Sequence, residues 1–207
     1  MTGPHLNLPN VLTLIRMPLT FAIVILMYGQ WAGAATLAFW LFIAAAISDW
    51  LDGKLARERN IVSDFGKFMD ALADKVLVLG IMVAFLDLGY LRLPGVVVML
   101  MVLIMLTREF MISGLRMMAA SRGVVMAAER GGKMKTLIQL HALGFLLGEP
   151  MIARDLARVW SCPTAALAEP VYWIGLILLF VSLWFMLSSM ASYYRKYRHV
   201  LFDRPAA

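Results

Sequence analysis

The stretch Asp49-Trp50-Leu51-Asp52-Gly53-Lys54-Leu55-Ala56-Arg57, followed by Gly66-Lys67-Phe68-Met69-Asp70-Ala71-Leu72-Ala73-Asp74, decides how this chain is read. Aspartate in or beside an apolar membrane helix is costly and marks function by default. Residues three or four apart share a helix face, so Asp49 with Asp52, and Asp70 with Asp74, each form a one-sided carboxylate pair. The polar residues from Glu58 to Asp64 fit a short reversal between two antiparallel helices, which would bring the two acidic faces together. Four carboxylates converging in a low-dielectric site cannot all stay ionised without a strong compensating charge. Ligation by oxygen alone suits hard divalent cations such as Mg²⁺ or Mn²⁺, and the four aspartates therefore read as a two-metal site. Salt bridges to Lys54, Arg57 and Lys75 at a membrane surface are the blander reading, and they leave the regular spacing unexplained.

Outside this string the chain is built for lipid. Of its 207 residues, 62% are hydrophobic and 15% charged, with mean hydropathy +0.80, which excludes an ordinary soluble domain. Each span needs roughly 20 apolar residues, and the apolar stretches fall at 11–29, 33–55, 67–87, 94–119, 134–149 and 170–194. An all-α integral membrane protein with six transmembrane helices is expected, as a single domain over 1–207. Residues 1–10 read as a short N-terminal interfacial segment. The first span ends in Gly29-Gln30 without a small-residue cleavage site, so a retained N-terminus is expected.

Six spans put both termini on one side. That side collects Arg16, the Lys54–Arg59 turn, Lys67, Lys75, Arg108, Arg116, the 122–135 segment and the Arg195-Lys196-Tyr197-Arg198 tail, whereas Arg92, Arg154 and Arg158 fall opposite. The positive-inside rule makes the first side cytoplasmic, and the aspartates lie there. The net charge of +6 does not point to nucleic acid, because the basic residues flank spans and suit anionic head groups or phosphorylated substrates. The outer loop 149–169, with Pro150 and Pro163, is expected to carry a short helix lying on the membrane. Cys162 is the single cysteine and can form no internal disulfide. His141, among Leu and Ala, reads as a hydrogen-bonded interhelical residue rather than a ligand.

The aspartate string resembles the signature of the CDP-alcohol phosphotransferases, Asp-x2-Asp-Gly-x2-Ala-Arg-x8-Gly-x3-Asp-x3-Asp. All of its fixed positions are present: Asp49, Asp52, Gly53, Ala56, Arg57, Gly66, Asp70 and Asp74. The flanking pieces Pro9-Asn10-Val11-Leu12-Thr13-Leu14-Ile15-Arg16, Thr107-Arg108-Glu109, Leu115-Arg116 and Gly132-Lys133-Met134-Lys135-Thr136 resemble the bacterial branch of that family that takes glycerol 3-phosphate as acceptor. One departure is Ala71, where proteins of this branch often carry proline; it bears on helix shape more than on chemistry.

The resemblance implies the CDP-alcohol phosphotransferase fold and an enzyme that transfers the phosphatidyl group of CDP-diacylglycerol to glycerol 3-phosphate, releasing CMP. It implies Asp49, Asp52 and Asp70 as ligands of two Mg²⁺ or Mn²⁺ ions, with Asp74 both at a metal and general base for the acceptor hydroxyl. The small residues Gly53, Ala56 and Gly66 would cradle the CDP-diacylglycerol nucleotide with Arg57, and Asn10 and Thr13 would add polar contacts. Acceptor choice must come from outside the shared motif. A dianionic phosphate calls for Arg or Lys, which singles out Arg108, Arg116, Lys133 and Lys135. Arg108 follows a long apolar run, so it needs a partner such as Glu109 or a substrate phosphate. A homodimer in the bacterial cytoplasmic membrane, with the site facing the cytoplasm, is the implied setting. The same chemistry with inositol phosphate, serine or phosphatidylglycerol as acceptor is the nearest alternative. A divalent-cation transporter is the remote one, since the outer halves of the spans offer no polar path.

Overall fold

The computed structural model describes residues 8–58, 64–121, 130–160 and 164–202, with side chains described for 14–49, 51, 69, 71–121, 134–158, 164 and 166–196. Its regular elements among the described residues are all helical: α1 (Leu8–Met27), α2 (Ala34–Glu58), α3 (Asp64–Asp87), α4 (Gly95–Ser121), α5 (Arg130–Pro150), a π-turn (Met151–Leu156), the short α6 (Ala157–Trp160) and α7 (Ala165–Phe202). The long helices coincide in order with the six apolar stretches. Among the described residues, three segments are long and apolar enough to cross a membrane, Gly95–Ser121, Met134–Leu156 and Ala166–Lys196. The apolar parts of α1 and α2 are shorter, Leu14–Met27 and Ala34–Asp49. The reversal proposed after Glu58 lies outside the described residues at 59–63.

Helix packing closes a ring. α1 packs on α2 and α3, α3 on α4, α4 on α7, α7 on α5, and α5 on α2. Ile23, Phe42, Leu77, Ile81, Phe85, Leu143, Leu146 and Leu179 fill the core between them. Outward, Ile25, Phe110, Met117 and Trp184 are each at least 70% exposed. An apolar belt of this extent is stable where hydrocarbon, not water, is the solvent. The tightest seam is α5 against α7. A Cβ on Gly175 would lie 2.8 Å from Leu146 Cγ and 3.0 Å from Leu146 N, so only glycine lets the two backbones approach this closely.

The outer end departs from the expected loop. α5 does not stop at Glu149; it continues through Pro150 into the π-turn and α6. Proline lacks an N–H and crowds the preceding turn, and widening the next turn to π spacing lets the helix continue. This turn has a structural task. Asp155 Oδ2 accepts hydrogen bonds from Thr36 N at 2.8 Å and Thr36 Oγ1 at 2.9 Å. Gly33 before α2 and Ala34-Ala35 in its first turn offer no capping side chain of their own, so a carboxylate from a distant element caps that helix. Nearby, Arg92 takes a positive φ of 48° and donates to Glu169 Oε1 at 2.6 Å and Glu149 Oε1 at 2.9 Å, with its guanidinium 4.3 Å from the Tyr172 ring centre. Tyr172 hydroxyl donates to the Leu91 carbonyl. These contacts fasten the α3–α4 corner to α5 and α7.

Candidate active site

Inside the ring lies a cavity of about 1340 Å³, lined by residues of α2, α3, α4, α5, the π-turn and α7. Its two ends differ in chemistry. At the end formed by the C-terminal halves of α2 and α4 and the N-terminal halves of α3 and α5 are Asp49, Asp74, Lys75, Arg108, Glu109, Arg116 and Lys135. Toward the other end the wall is Phe39, Phe42, Phe145, Met151, Ile152 and Val171.

Asp49 and Asp74 line this cavity from two different helices, α2 and α3. Asp49 Oδ1 pairs with Arg16 Nη1 at 2.6 Å, and the Arg16 side chain is only 1% exposed against 36% for Asp49. Asp52 and Asp70 lie in α2 and α3 one turn from Asp49 and Asp74, but their side chains lie outside the described residues. The same holds for Asn10 and Thr13 in α1, Gly53, Ala56 and Arg57 in α2, Gly66 in α3 and Lys133 in α5. Among the described residues no group of three or more metal-ligating side chains is gathered. The donor chemistry nonetheless fits a hard cation. Both described carboxylates face one cavity, and each has a further carboxylate one turn away on its own helix.

Three of the four basic residues assigned to an acceptor phosphate come together in the cavity: Arg108, Arg116 and Lys135. Arg108 and Lys135 are each 6% exposed. Both are paired with Glu109, whose Oε1 accepts from Arg108 Nη1 at 2.8 Å and from Lys135 Nζ. The partner anticipated for Arg108 is therefore in place. Asp74, on the same cavity, also attracts Lys135 electrostatically, and Arg108 Nε is buried without a hydrogen-bond partner among the described residues. Arg116 is exposed on the cavity wall. Lys75 Nζ donates to Ser113 Oγ at 2.8 Å, joining α3 to α4 beside the carboxylates.

Sequence reasoning passed over several of these groups. Arg16 counted as a basic flank and as part of the resembling Pro9–Arg16 piece, with no partner assigned, although a guanidinium within an apolar span had to find an anion. Glu109 was assigned as a partner for Arg108, but its second cation, 26 residues away, carries no local signal. His141 corrects the sequence reading. It lies exposed on the cavity wall, and its Nδ1 is 2.8 Å from the carbonyl of Leu137 on its own helix, so its bond is intrahelical.

The exposed apolar helix faces and a cavity charged at one end mark an all-helical membrane protein with a charged site. The chain belongs to the CDP-alcohol phosphatidyltransferase family, whose profile matches residues 6–191. It is similar to the CDP-diacylglycerol–glycerol-3-phosphate 3-phosphatidyltransferase of Bacillus subtilis (strain 168), at 38% identity over 158 residues, covering 68% of this chain and 76% of the relative. The enzyme of the same name from Salmonella choleraesuis (strain SC-B67) is 35% identical over 203 residues, 96% of this chain and 98% of the relative. That of Rickettsia typhi (strain ATCC VR-144 / Wilmington) is 37% identical over 142 residues, with 68% and 76% covered. The protein is thus a membrane transferase of phospholipid biosynthesis, in a family that generally uses divalent metals.

Proposed function

We propose that this protein transfers the phosphatidyl group of CDP-diacylglycerol to glycerol 3-phosphate, giving phosphatidylglycerophosphate and CMP. The observation that carries this acceptor is the buried pair Arg108 and Lys135, which share the single carboxylate of Glu109 on the same cavity as Asp49 and Asp74. A small acceptor with a dianionic phosphate matches the buried cations Arg108 and Lys135 and the Arg108 Nε that has no hydrogen-bond partner among the described residues. Lys133 and Arg116 add to that set. Serine, which has no phosphate, would leave it unmatched. The acceptor names of the relatives support the same choice.

Asp49, Asp52, Asp70 and Asp74 would hold two divalent cations, Mg²⁺ or Mn²⁺, which when bound neutralise the diphosphate and the departing oxygen. Asn10, Thr13, Gly53, Ala56, Arg57 and Gly66 would receive the nucleotide. Arg108 and Lys135 hold the acceptor phosphate and so aim its hydroxyl at the lipid-bearing phosphorus. Asp74 takes the hydroxyl proton as the new O–P bond forms, and the bond from that phosphorus to CMP breaks, with the electron pair leaving on CMP. Arg16 keeps the Asp49 carboxylate oriented. The chain 1–207 acts as one membrane domain with six spans, in a homodimer in the bacterial cytoplasmic membrane, its site open to the cytoplasm.

The test is CMP release by purified protein from CDP-diacylglycerol with a panel of acceptors. Glycerol 3-phosphate should be preferred, chelator should abolish the reaction, and Mg²⁺ or Mn²⁺ should restore it. Turnover that survives exhaustive chelation, or preference for inositol phosphate, serine or phosphatidylglycerol, refutes the corresponding part.

A further inference from the structure

Arg108 on α4 and Lys135 on α5 are each 6% exposed, and a buried cation with no anion beside it is expensive. Among the described residues, Glu109 is the carboxylate within ion-pair distance of both. All three side chains line the cavity that holds Asp49 and Asp74. A carboxylate set among the cations that would receive a phosphate calls for an explanation, because it repels the ligand those cations attract.

The bonding of Glu109 is uneven. One oxygen, Oε1, accepts from both Arg108 Nη1 and Lys135 Nζ. Arg108 reaches it through Nη1, at 2.8 Å, while Nε has no hydrogen-bond partner among the described residues. The two-bond edge with which a guanidinium grips a phosphate is therefore not spent on Glu109. Arg108 and Glu109 are also neighbours in sequence, and consecutive side chains on a helix do not face each other, so helical geometry does not favour their contact. Lys135 feels a second anion, since Asp74 attracts it as well. Each cation thus has bonding capacity that Glu109 does not fill. In the empty cavity Glu109 matches two buried charges. Beside an arriving dianion it becomes a like charge that opposes binding.

We infer that Glu109 is a placeholder anion, a positioning residue that holds Arg108 and Lys135 in the empty site and gives them up to the phosphate of the acceptor. It stabilises the empty protein and keeps the acceptor loosely held and free to exchange. This rests on the acceptor being a phosphate monoester bound by that pair, as proposed above.

The test is Glu109→Gln, which removes the charge and keeps the shape, beside Glu109→Asp, which keeps the charge and draws it back by one methylene. In detergent without phosphate, Glu109→Gln should unfold at a lower temperature than the parent. Saturating inorganic phosphate should then raise its unfolding temperature by more than it raises that of the parent, because a ligand stabilises the state it binds in proportion to its affinity. In CMP release, the KM of Glu109→Gln for glycerol 3-phosphate should fall about tenfold, the scale of one like charge removed from beside a dianion at a wet site. Its KM for CDP-diacylglycerol should move much less, and Glu109→Asp should lower the glycerol 3-phosphate KM by a smaller factor. A raised KM for glycerol 3-phosphate in Glu109→Gln, or phosphate protection no larger than that of the parent, overturns the placeholder and leaves the reaction standing. If Glu109→Gln does not fold, Glu109→Asp decides alone, and an unchanged or raised KM there overturns the placeholder. A parent that releases no CMP with glycerol 3-phosphate and gains no protection from inorganic phosphate removes the acceptor reading, and the placeholder with it.

Discussion

Arg108 lies 6% exposed and bonded to Glu109, with its Nε lacking a hydrogen-bond partner among the described residues. Hydrogen bonds to charged groups contribute about 1.5–3 kcal/mol, so Arg108→Ala should raise the KM for glycerol 3-phosphate by about 10- to 100-fold while moving that for CDP-diacylglycerol much less. Arg108→Lys should not rescue it fully, because the planar fork is lost. Equal losses for both substrates would show that Arg108 serves the fold or the nucleotide instead. Arg16 poses the complementary case. Its side chain, 1% exposed, pairs at 2.6 Å with the 36% exposed Asp49, and removing it takes away the opposite charge that favours the ionised carboxylate along with the packing of its buried stem. Arg16→Met should therefore lower both the unfolding temperature in detergent and CMP release, with Arg16→Lys recovering part of each. Wild-type behaviour in Arg16→Met would mean that Asp49 needs no such support. Arg108 was legible in the sequence as a cation that had to be matched, because an apolar run of residues on one helix is a local pattern. Arg16 was not read the same way, because its partner lies on another helix.

The helices were legible where their period and composition agree, and less so at their ends. α2 begins without a capping residue of its own, and Asp155 serves it from 119 residues away. Loss of a cap costs about 0.5–2 kcal/mol, so Asp155→Ala should lower the unfolding temperature by several degrees, measured by thermal unfolding in detergent, and Asp155→Asn by less. No shift in either would mean that α2 is capped by other means. The α5–α7 seam predicts a larger effect. Gly175→Val places methyl groups against Leu146 and Phe145, where a Cβ alone already meets atoms at 2.8–3.0 Å. Overpacking of this kind costs about 1–3 kcal/mol or more, and the seam should respond with a clear drop in unfolding temperature. An unchanged transition would show that the two helices can part without penalty. Continuation of α5 past Pro150 was the main element-level surprise, since proline ordinarily ends a helix and here the π-turn absorbs it.

At the scale of the molecule, the ring of α1, α2, α5, α7, α4 and α3 surrounds a cavity with its charge at one end. Arg108, Arg116 and Lys135 lie at that same end, and by the positive-inside rule that end is proposed to face the cytoplasm. Single cysteines introduced in a Cys162→Ser background test this. Trp31, 52% exposed between α1 and α2, lies at the far end, and Tyr194, 47% exposed near the end of α7, lies at the charged end. In intact cells Trp31→Cys should react with a membrane-impermeant thiol reagent, and Tyr194→Cys only after permeabilisation. The opposite labelling would invert the proposed topology.

The spacing of Asp49, Asp52, Asp70 and Asp74 by itself led to the expectation that two helices carry carboxylates on single faces, and the apolar lengths around them led to an all-helical membrane protein. Both follow from periods of a few residues, which neighbours along the chain specify without help. What only the tertiary structure decided is which faces meet: that Asp49 and Asp74 share a cavity with Arg108 and Lys135, that Glu109 serves two cations, that Asp155 caps α2, and that the cavity runs on to the π-turn. Those pairings depend on how helices far apart in sequence rotate and pack against one another, and close packing, not local period, sets that rotation.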